Sequence, residues 1–92
     1  MLFRSAFNHG YAQRDGNTAM VTIGADLAAR KGMIVCNSAG NSGGAQTDAK
    51  YVMCPADGDS VLAVGAVTIR DTIAAFSSYG PNGAGKLKPD IV

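Results

Sequence analysis

One amide side chain in a loop of small residues is the feature of this sequence best placed to do chemistry. The segment IVCNSAGNSGG, residues 34–44, passes from apolar residues into Ser, Gly and Asn. Such a loop is compatible with a simple turn, since Gly and Asn adopt the backbone angles that turns need. The alternative is that Asn41 is held out at the end of a strand, where a bare backbone lets a ligand come close.

Acid–base and nucleophilic residues occur singly. His9 precedes Gly10 and Tyr11 and is interpreted as a loop histidine. Asp15 suits a turn that leads into a helix, and Ser77 and Ser78 lie in an extended segment where a structural role is expected. The spacing of these residues therefore does not indicate an Asp, His and Ser triad.

Residues 18–31 are predicted to form a helix. Thr18 is a suitable N-cap, and Gly32 stands where a helix would end in a left-handed turn. Asp26 and Arg30 are four residues apart and could pair on the helix surface. The expected buried stripe recurs at three- to four-residue spacing and consists of Met20, Ile23, Leu27, Ala28 and Ala29.

Two apolar segments follow this helix and are predicted to be strands. MIVC, residues 33–36, shows no polar alternation, which indicates a strand covered on both faces. SVLAVGAVT, residues 60–68, is the second strand, and Gly65 within it indicates close approach of another segment. Residues 51–56 and 72–81 are expected to be extended pieces. A helix feeding a buried strand predicts an α/β fold, with residues 1–92 as one incomplete piece of a larger domain. Within it, residues 1–17 are an irregular lead-in and residues 18–92 contain the helix, the buried strands and the loops.

Composition excludes several function classes. The net charge is +1 with no basic block, so neither nucleic acid nor a membrane surface is an expected partner. No apolar run approaches the roughly 20 residues of a membrane span, and the start does not have the pattern of a secretory signal. Cys36 and Cys54 are interpreted as unpaired, mostly buried thiols, with one bridge between neighbouring segments as the alternative.

Four pieces in order carry a resemblance: RKGMIVCNSAGNSG, PADGDSVLAVGAVT, AAFSSYGP and KPDIV. Together they resemble the subtilisin-like serine peptidases, which implies part of a three-layer α/β/α domain with a parallel sheet. The resemblance implies that Asn41 donates to the oxyanion of the tetrahedral intermediate. It further implies that Ser38, Ala39 and Gly40 form one wall of the substrate pocket and that Cys54 and Pro55, joined by a cis bond, form part of the far side.

The resemblance also sets expectations for the whole enzyme. Its substrates would be peptides or proteins, its location secreted or in the cell envelope, and no cofactor would be required for catalysis. A structural calcium is compatible with Asp48, Asp57 and Asp59, although no motif supports it. Because the family contexts of the triad are missing, residues 1–92 alone are expected to be inactive. They are also expected to self-associate, because missing strands would leave apolar sheet faces and unpaired edges exposed. The alternatives are a non-catalytic binding or assembly module and, more remotely, a phosphate-binding unit that uses GNSGG.

Overall fold

The computed structural model describes the backbone of residues 2–3 and the whole of residues 9–92. The elements in chain order are β1 Leu2–Phe3, a 3₁₀ turn at Tyr11–Gln13, α1 Met20–Arg30, β2 Cys36–Ser38, a 3₁₀ turn at Asp48–Lys50 and β3 Leu62–Val64. The short strands and single long helix of this part of the chain are an α/β arrangement, as the sequence predicted.

The sheet is parallel, with strand order β1-β2-β3. Asn37 of β2 is in register with Phe3 on one side and Ala63 on the other. Beyond β3, Ile91 makes a further parallel bridge to Val64. The prediction of an irregular lead-in over residues 1–17 is therefore wrong at β1, because pairing with β2 gives Leu2–Phe3 a strand conformation that local sequence does not specify.

The helix α1 packs through small residues. Ala25 contacts Val35 and Val61 in the buried cluster, with Ala28 and Ala29 packed against it. The predicted stripe is wrong for the larger side chains, since Met20 is 86% exposed and Ile23 and Leu27 are about half exposed. Small side chains on the inner face allow the helix to lie close to the sheet, which leaves the bulkier residues on the outside.

The sequence predicts the C-terminal end of α1 correctly but not its N-cap. Ala19, not Thr18, is the N-cap, and it has no side-chain cap. Asp15 instead organises the entry by accepting hydrogen bonds from the Asn17 and Thr18 amides, and these bonds lower the pKa of its carboxyl. At the other end, Gly32 has φ +98°, so the left-handed turn predicted there is confirmed.

Asp26 was expected to pair with Arg30 on the surface of α1. The structure instead buries Asp26, whose carboxylate accepts a hydrogen bond of 2.9 Å from the Ser60 amide. A carboxylate on the inner face of the helix can accept a hydrogen bond from a loop amide that has no partner in a sheet. The expected surface pair of Asp26 with Arg30 is therefore wrong.

The strands are shorter than the apolar segments that predicted them. β2 begins only at Cys36, and Met33 and Ile34 are 55% and 75% exposed. Within residues 9–92, where α1 is the one α-helix, Met33 and Ile34 therefore lack the cover on both faces that the sequence predicts. Residues 72–81 make only isolated bridges, Val67 to Ile73 and Tyr51 to Tyr79.

Close approach at Gly65 is confirmed. A Cβ built on Gly65 would lie 3.0 Å from Val92 and 3.2 Å from Pro89, and its amide donates to the Ile91 carbonyl at 2.8 Å. Asp90 strengthens the contact between β3 and residues 89–92 by accepting hydrogen bonds from the Ala63 amide and from the buried Lys88 ammonium. The last residues of the chain therefore extend the sheet next to β3.

A fully buried carboxylate joins the loop segments to the helix. Asp57 accepts hydrogen bonds from the Gly16 amide at 2.9 Å and from the Thr22 hydroxyl at 2.7 Å. Its backbone carbonyl accepts a further bond from the buried Asn82 side chain. One residue thus ties the entry to α1, the helix itself and the 82–86 loop together.

The lead-in packs against the far end of the chain. The Tyr11 hydroxyl lies within 3.1 Å of the Pro81 and Asn82 carbonyls, and its ring stacks on Tyr51 with centroids 4.4 Å apart. Arg14 is 7% exposed and donates to the carbonyls of His9, Asp48 and Tyr51. Within residues 9–92 no helix has the length and hydropathy to cross a membrane.

The buried Asp57 carboxylate yields a stability prediction. Asp57→Ala should lower the free energy of unfolding by about 2–5 kcal/mol, because it leaves two buried donors without an acceptor. Asp59→Ala is the matched control: Asp59 pairs with Lys86 on the surface, and its loss should cost about 0–1 kcal/mol. Chaotrope unfolding of the folded domain that carries this chain measures both, and equal losses for the two variants would contradict the role given to Asp57.

Candidate active site

A pocket of about 150 Å³ lies at the carboxyl end of β2. Ligands of open parallel sheets bind beyond the carboxyl ends of the strands, so this pocket lies where a ligand is expected. The residues that line it are Asn37, Ser38, Gly40, Asn41, Ser42, Met53 and Cys54. Four of the residues singled out in the sequence, Ser38, Gly40, Asn41 and Cys54, are thus brought together.

Gly40 sets the path of the pocket loop. Its φ of +123° is unfavourable for residues with a side chain. A Cβ at this position would lie 2.7 Å from the Met53 side chain and 2.8 Å from the Ser78 hydroxyl. Glycine is therefore required at position 40 both by the backbone angle and by the lack of room for a side chain. This explains the small residue before Asn41 in the SAGN segment.

Ser78 holds the loop on both sides of Asn41. Its amide donates to the Gly40 carbonyl at 2.9 Å, and its hydroxyl accepts a hydrogen bond of 3.1 Å from the Ser42 amide. Ser78 is 1% exposed, so these bonds are shielded from water. The backbone flanking Asn41 is consequently fixed by a residue 37 positions further along the chain.

Ala39 and Pro55 lie beneath the pocket rather than on its surface. The Ala39 amide donates to the Val64 carbonyl at 2.8 Å, and the Ala39 carbonyl accepts from the Met53 amide at 2.9 Å. Both Ala39 and Pro55 are buried to below 2% exposure. They therefore position the pocket wall without being among the residues that line it.

The Asn41 side chain projects from this braced loop and is exposed. Within residues 9–92 its amide takes part in no hydrogen bond. An amide that is held by its backbone and left unpaired can donate to an oxygen of a bound molecule. The geometry is compatible with an electrostatic donor.

Cys54 contributes a neutral wall to the pocket. Burial, followed by the charge of the neighbouring Asp57 carboxylate, raises the pKa of the Cys54 thiol to about 12. The thiol therefore stays protonated near neutral pH and is a poor nucleophile. Cys54 and Cys36 are both unpaired, and the Cys54-Pro55 bond is cis, so the predicted cis bond is confirmed.

The remaining acid–base and nucleophile candidates have structural surroundings. The Ser77 hydroxyl accepts a hydrogen bond of 2.9 Å from the Ala66 amide, and Ser78 supports the pocket loop. His9 is not among the pocket residues, although its Nδ1 is buried without a partner in the described part of the chain. Asp15 organises the start of α1, as the sequence predicted.

The three aspartates considered for calcium do not converge. Both carboxylate oxygens of Asp57 accept hydrogen bonds from the protein, and Asp59 pairs with Lys86. No group of three or more His, Cys, Asp or Glu residues suited to a metal ion occurs within residues 9–92. A structural calcium stays a prediction from the family resemblance alone.

Four residues of the site were missed at the level of sequence: Asn37, Ser42, Met53 and Ser78. Asn37 and Met53 carried a usable signal, because each immediately precedes a residue that was assigned to the pocket. Ser78 gave none, since its contact with the loop depends on how distant segments fold together.

The family profile described as the Subtilase family matches residues 6–92. The chain belongs to this family of peptidases. It is also 41% identical over 68 residues to the serine protease AprX of Bacillus subtilis (strain 168), an alignment that covers 66% of this chain and 15% of the relative. The chain thus spans a small part of the length of that protease.

Gly40 provides a test of the pocket geometry. Gly40→Ala should destabilise the domain by about 1–3 kcal/mol, since the new Cβ meets Met53 and Ser78 and the backbone angle is strained. Gly24→Ala is the matched control, because a Cβ at this helical position meets nothing within 4 Å, and should stabilise by about 0.5–1 kcal/mol. Thermal unfolding of the two variants compares them directly, and a neutral Gly40→Ala would refute the close packing described here.

Proposed function

We propose that this chain supplies the oxyanion donor and one wall of the substrate pocket to a subtilisin-like serine endopeptidase. The observation that carries the proposal is the pocket at the end of β2, where the exposed Asn41 stands on a loop braced by Ser78. Membership of the subtilase family supports assigning this pocket to peptide substrates.

The proposed chemistry follows from the character of the Asn41 amide. When a nucleophile attacks a peptide carbonyl, the oxygen gains negative charge, and a donor already aimed at it stabilises the transition state more than the ground state. An amide donates without bringing a charge or a labile proton. The hydrogen bonds from Ser78 to Gly40 and Ser42 fix the backbone on either side of Asn41, so only the Asn41 side chain has to orient toward the developing charge.

The wall of the pocket is proposed to receive the side chain that precedes the scissile bond. Ser38 and Gly40 present small groups, while Met53 and Cys54 close the opposite side. Ala39 and Pro55 support these residues from below. The neutral Cys54 thiol and the absence of a charged side chain among the lining residues favour uncharged substrate side chains.

The catalytic triad is not proposed to come from these 92 residues. None of His9, Asp15, Ser77 or Ser78 has the sequence context of a triad residue, and the two serines are engaged with backbone amides. Hydrolysis therefore requires other parts of the complete enzyme. A secreted or envelope location, expected from the resemblance, likewise remains a proposal for that enzyme.

The chain is proposed to form part of a three-layer α/β/α domain, which would cover apolar surface that is exposed here. The side chains more than 70% exposed include Met20, Ile34, Ile69 and Leu87. Apolar surface of this extent favours association or docking with further segments of the same domain.

Self-association of residues 1–92 is the corresponding prediction. Light scattering should give a mass above the 9.4 kDa of one chain that rises with concentration, because exposed apolar residues associate. The double variant Ile23→Lys and Leu27→Lys should lower this mass, since it places charges on the exposed side of α1. A constant monomer mass at high concentration, with a cooperative melt, would contradict the prediction.

Asn41 is the decisive residue for the proposed function. In the full-length enzyme, Asn41→Ala should lower kcat by roughly 10²–10³ with little change in KM; this size is the known effect of the equivalent donor in subtilisin. Asn41→Asp should be no better, because it places a negative charge beside the developing oxyanion. Residues 1–92 alone should hydrolyse neither peptides nor esters.

Steady-state kinetics of the full-length variants measure these effects. Asn17→Ala is a suitable control, since Asn17 is an exposed asparagine outside the pocket and bonds to Asp15 through its backbone amide, which the substitution retains. Near-parental turnover of Asn41→Ala would reduce Asn41 to a turn residue and overturn the proposed function.

A further inference from the structure

Asn82 and Gly83 form the one Asn-Gly pair in the sequence. In such a pair the backbone nitrogen of the glycine can attack the side-chain carbon Cγ of the asparagine, which begins deamidation. Glycine allows this attack best, because it has no Cβ to hinder the approach. The pair is therefore the position in these 92 residues where this reaction is chemically easiest.

The fold engages both ends of the Asn82 amide. The Nδ2 group donates to the Asp57 carbonyl at 3.0 Å, and Oδ1 accepts from the amides of Ala84 and Lys86 at 3.0 and 2.9 Å. Asn82 is 0% exposed, so the amine that would leave is shielded from water. A carboxylate could not replace this side chain, because it has no N–H for the Asp57 carbonyl.

The attacking group is engaged as well. The Gly83 amide, which would have to lose its proton, donates to the Arg14 carbonyl at 2.7 Å. A Cβ on Gly83 would collide with the Tyr11 carbonyl oxygen and would lie 3.2 Å from the Arg14 carbonyl, so a larger residue does not fit. The fold thus requires both members of a chemically labile pair, and the closed loop protects them.

We propose that Asn82 is a modification site, protected in the closed 82–86 loop, that deamidates with water as the co-reactant when this loop opens. Residues 84–86 are exposed, and an exposed loop opens with a smaller free energy than the whole domain. The inference stands apart from the proposed function, because it concerns the covalent stability of the chain and not the hydrolysis of substrates.

The reaction amounts to hydrolysis of the side-chain amide. In the open loop the Gly83 nitrogen gives up its proton and bonds to Cγ of Asn82, the Cγ–Nδ2 bond breaks, and ammonia leaves. The succinimide ring that remains then adds one water molecule at either of its two carbonyl carbons. Addition on one side yields aspartate, and addition on the other yields isoaspartate, whose backbone runs through Cγ.

Neither product restores the closed loop. A carboxylate at residue 82 would place a charge in a fully buried site and would face the Asp57 carbonyl, which is also an acceptor. Isoaspartate in addition lengthens the backbone by one carbon and displaces the Gly83 amide from the Arg14 carbonyl. Deamidation therefore makes a transient opening irreversible.

The first test compares the folded and unfolded full-length enzyme, treated with a sulfonyl fluoride to prevent self-digestion. Samples are incubated in mildly alkaline buffer with and without chaotrope, and peptide mapping by mass spectrometry measures aspartate and isoaspartate at residue 82. A peptide of residues 79–87 gives the intrinsic rate in each buffer. Conversion should be at least about 10-fold slower in the folded enzyme, because several hydrogen bonds must break first. A folded rate equal to or above the unfolded rate would overturn the proposal.

Tyr11→Phe tests whether opening of the loop limits the reaction. It removes the hydroxyl that bonds to the Pro81 and Asn82 carbonyls and keeps the aromatic ring. Conversion in the folded enzyme should become about 3- to 10-fold faster, with no change in chaotrope. Tyr79→Phe is the matched control, because the Tyr79 hydroxyl makes no hydrogen bond within residues 9–92, and its rate should be unchanged. Equal rates in the two variants would refute loop opening as the limiting event.

Asn82→Asp tests the consequence of the modification, since it installs one of the two products. Its melting temperature should be lower than that of the parental enzyme. Asn17→Asp adds the same charge at an exposed asparagine and should leave the melting temperature nearly unchanged. Parental melting of Asn82→Asp would overturn the claim that deamidation keeps the loop from closing.

Discussion

The buried Asp57 carboxylate is the interaction on which the rest of this structure depends. A charge removed from water is tolerated only when donors replace its hydration, and here the Gly16 amide and the Thr22 hydroxyl do so. These two donors belong to the entry to α1 and to α1 itself. Since Asp57 lies only three residues after Cys54, the same bonds that seat the helix also fix the segment that closes the pocket.

The site itself is built by loops that brace one another rather than by long strands. β2 and β3 have three residues each, yet the backbone around Asn41 is fixed on both sides by Ser78 and below by Ala39. The short sheet sets the direction in which the loop around Asn41 leaves β2. Hydrogen bonds from other loops then make the backbone of this loop rigid. This division explains how the backbone on either side of an exposed amide can be fixed although the amide itself makes no hydrogen bond within residues 9–92.

The sequence predicted the parts of the fold that depend on local chemistry. The end of α1 at Gly32 and the role of Asp15 follow from neighbouring residue types, whereas the role of Asn41 is a prediction from the family resemblance, because Asn in a Gly-rich loop is also an ordinary turn residue. The orientation of α1 could not be predicted in this way, because large apolar residues normally face inward and here Ala25 does so while Met20 does not. Contacts such as Ser78 with the pocket loop depend on segments far apart in sequence, and local patterns carry no information about them.

Tyr11 has a consequence for the order in which the chain acquires its structure. Its hydroxyl bonds to carbonyls that lie 70 and 71 residues later in the chain. At ribosomal rates of roughly 5–20 residues per second, those partners emerge about 4–14 s after Tyr11 itself. During that interval the Tyr11 hydroxyl has neither of these acceptors. Completion of this region therefore waits for synthesis of residues 81 and 82, and until then water must serve as the hydrogen-bond partner of the Tyr11 hydroxyl.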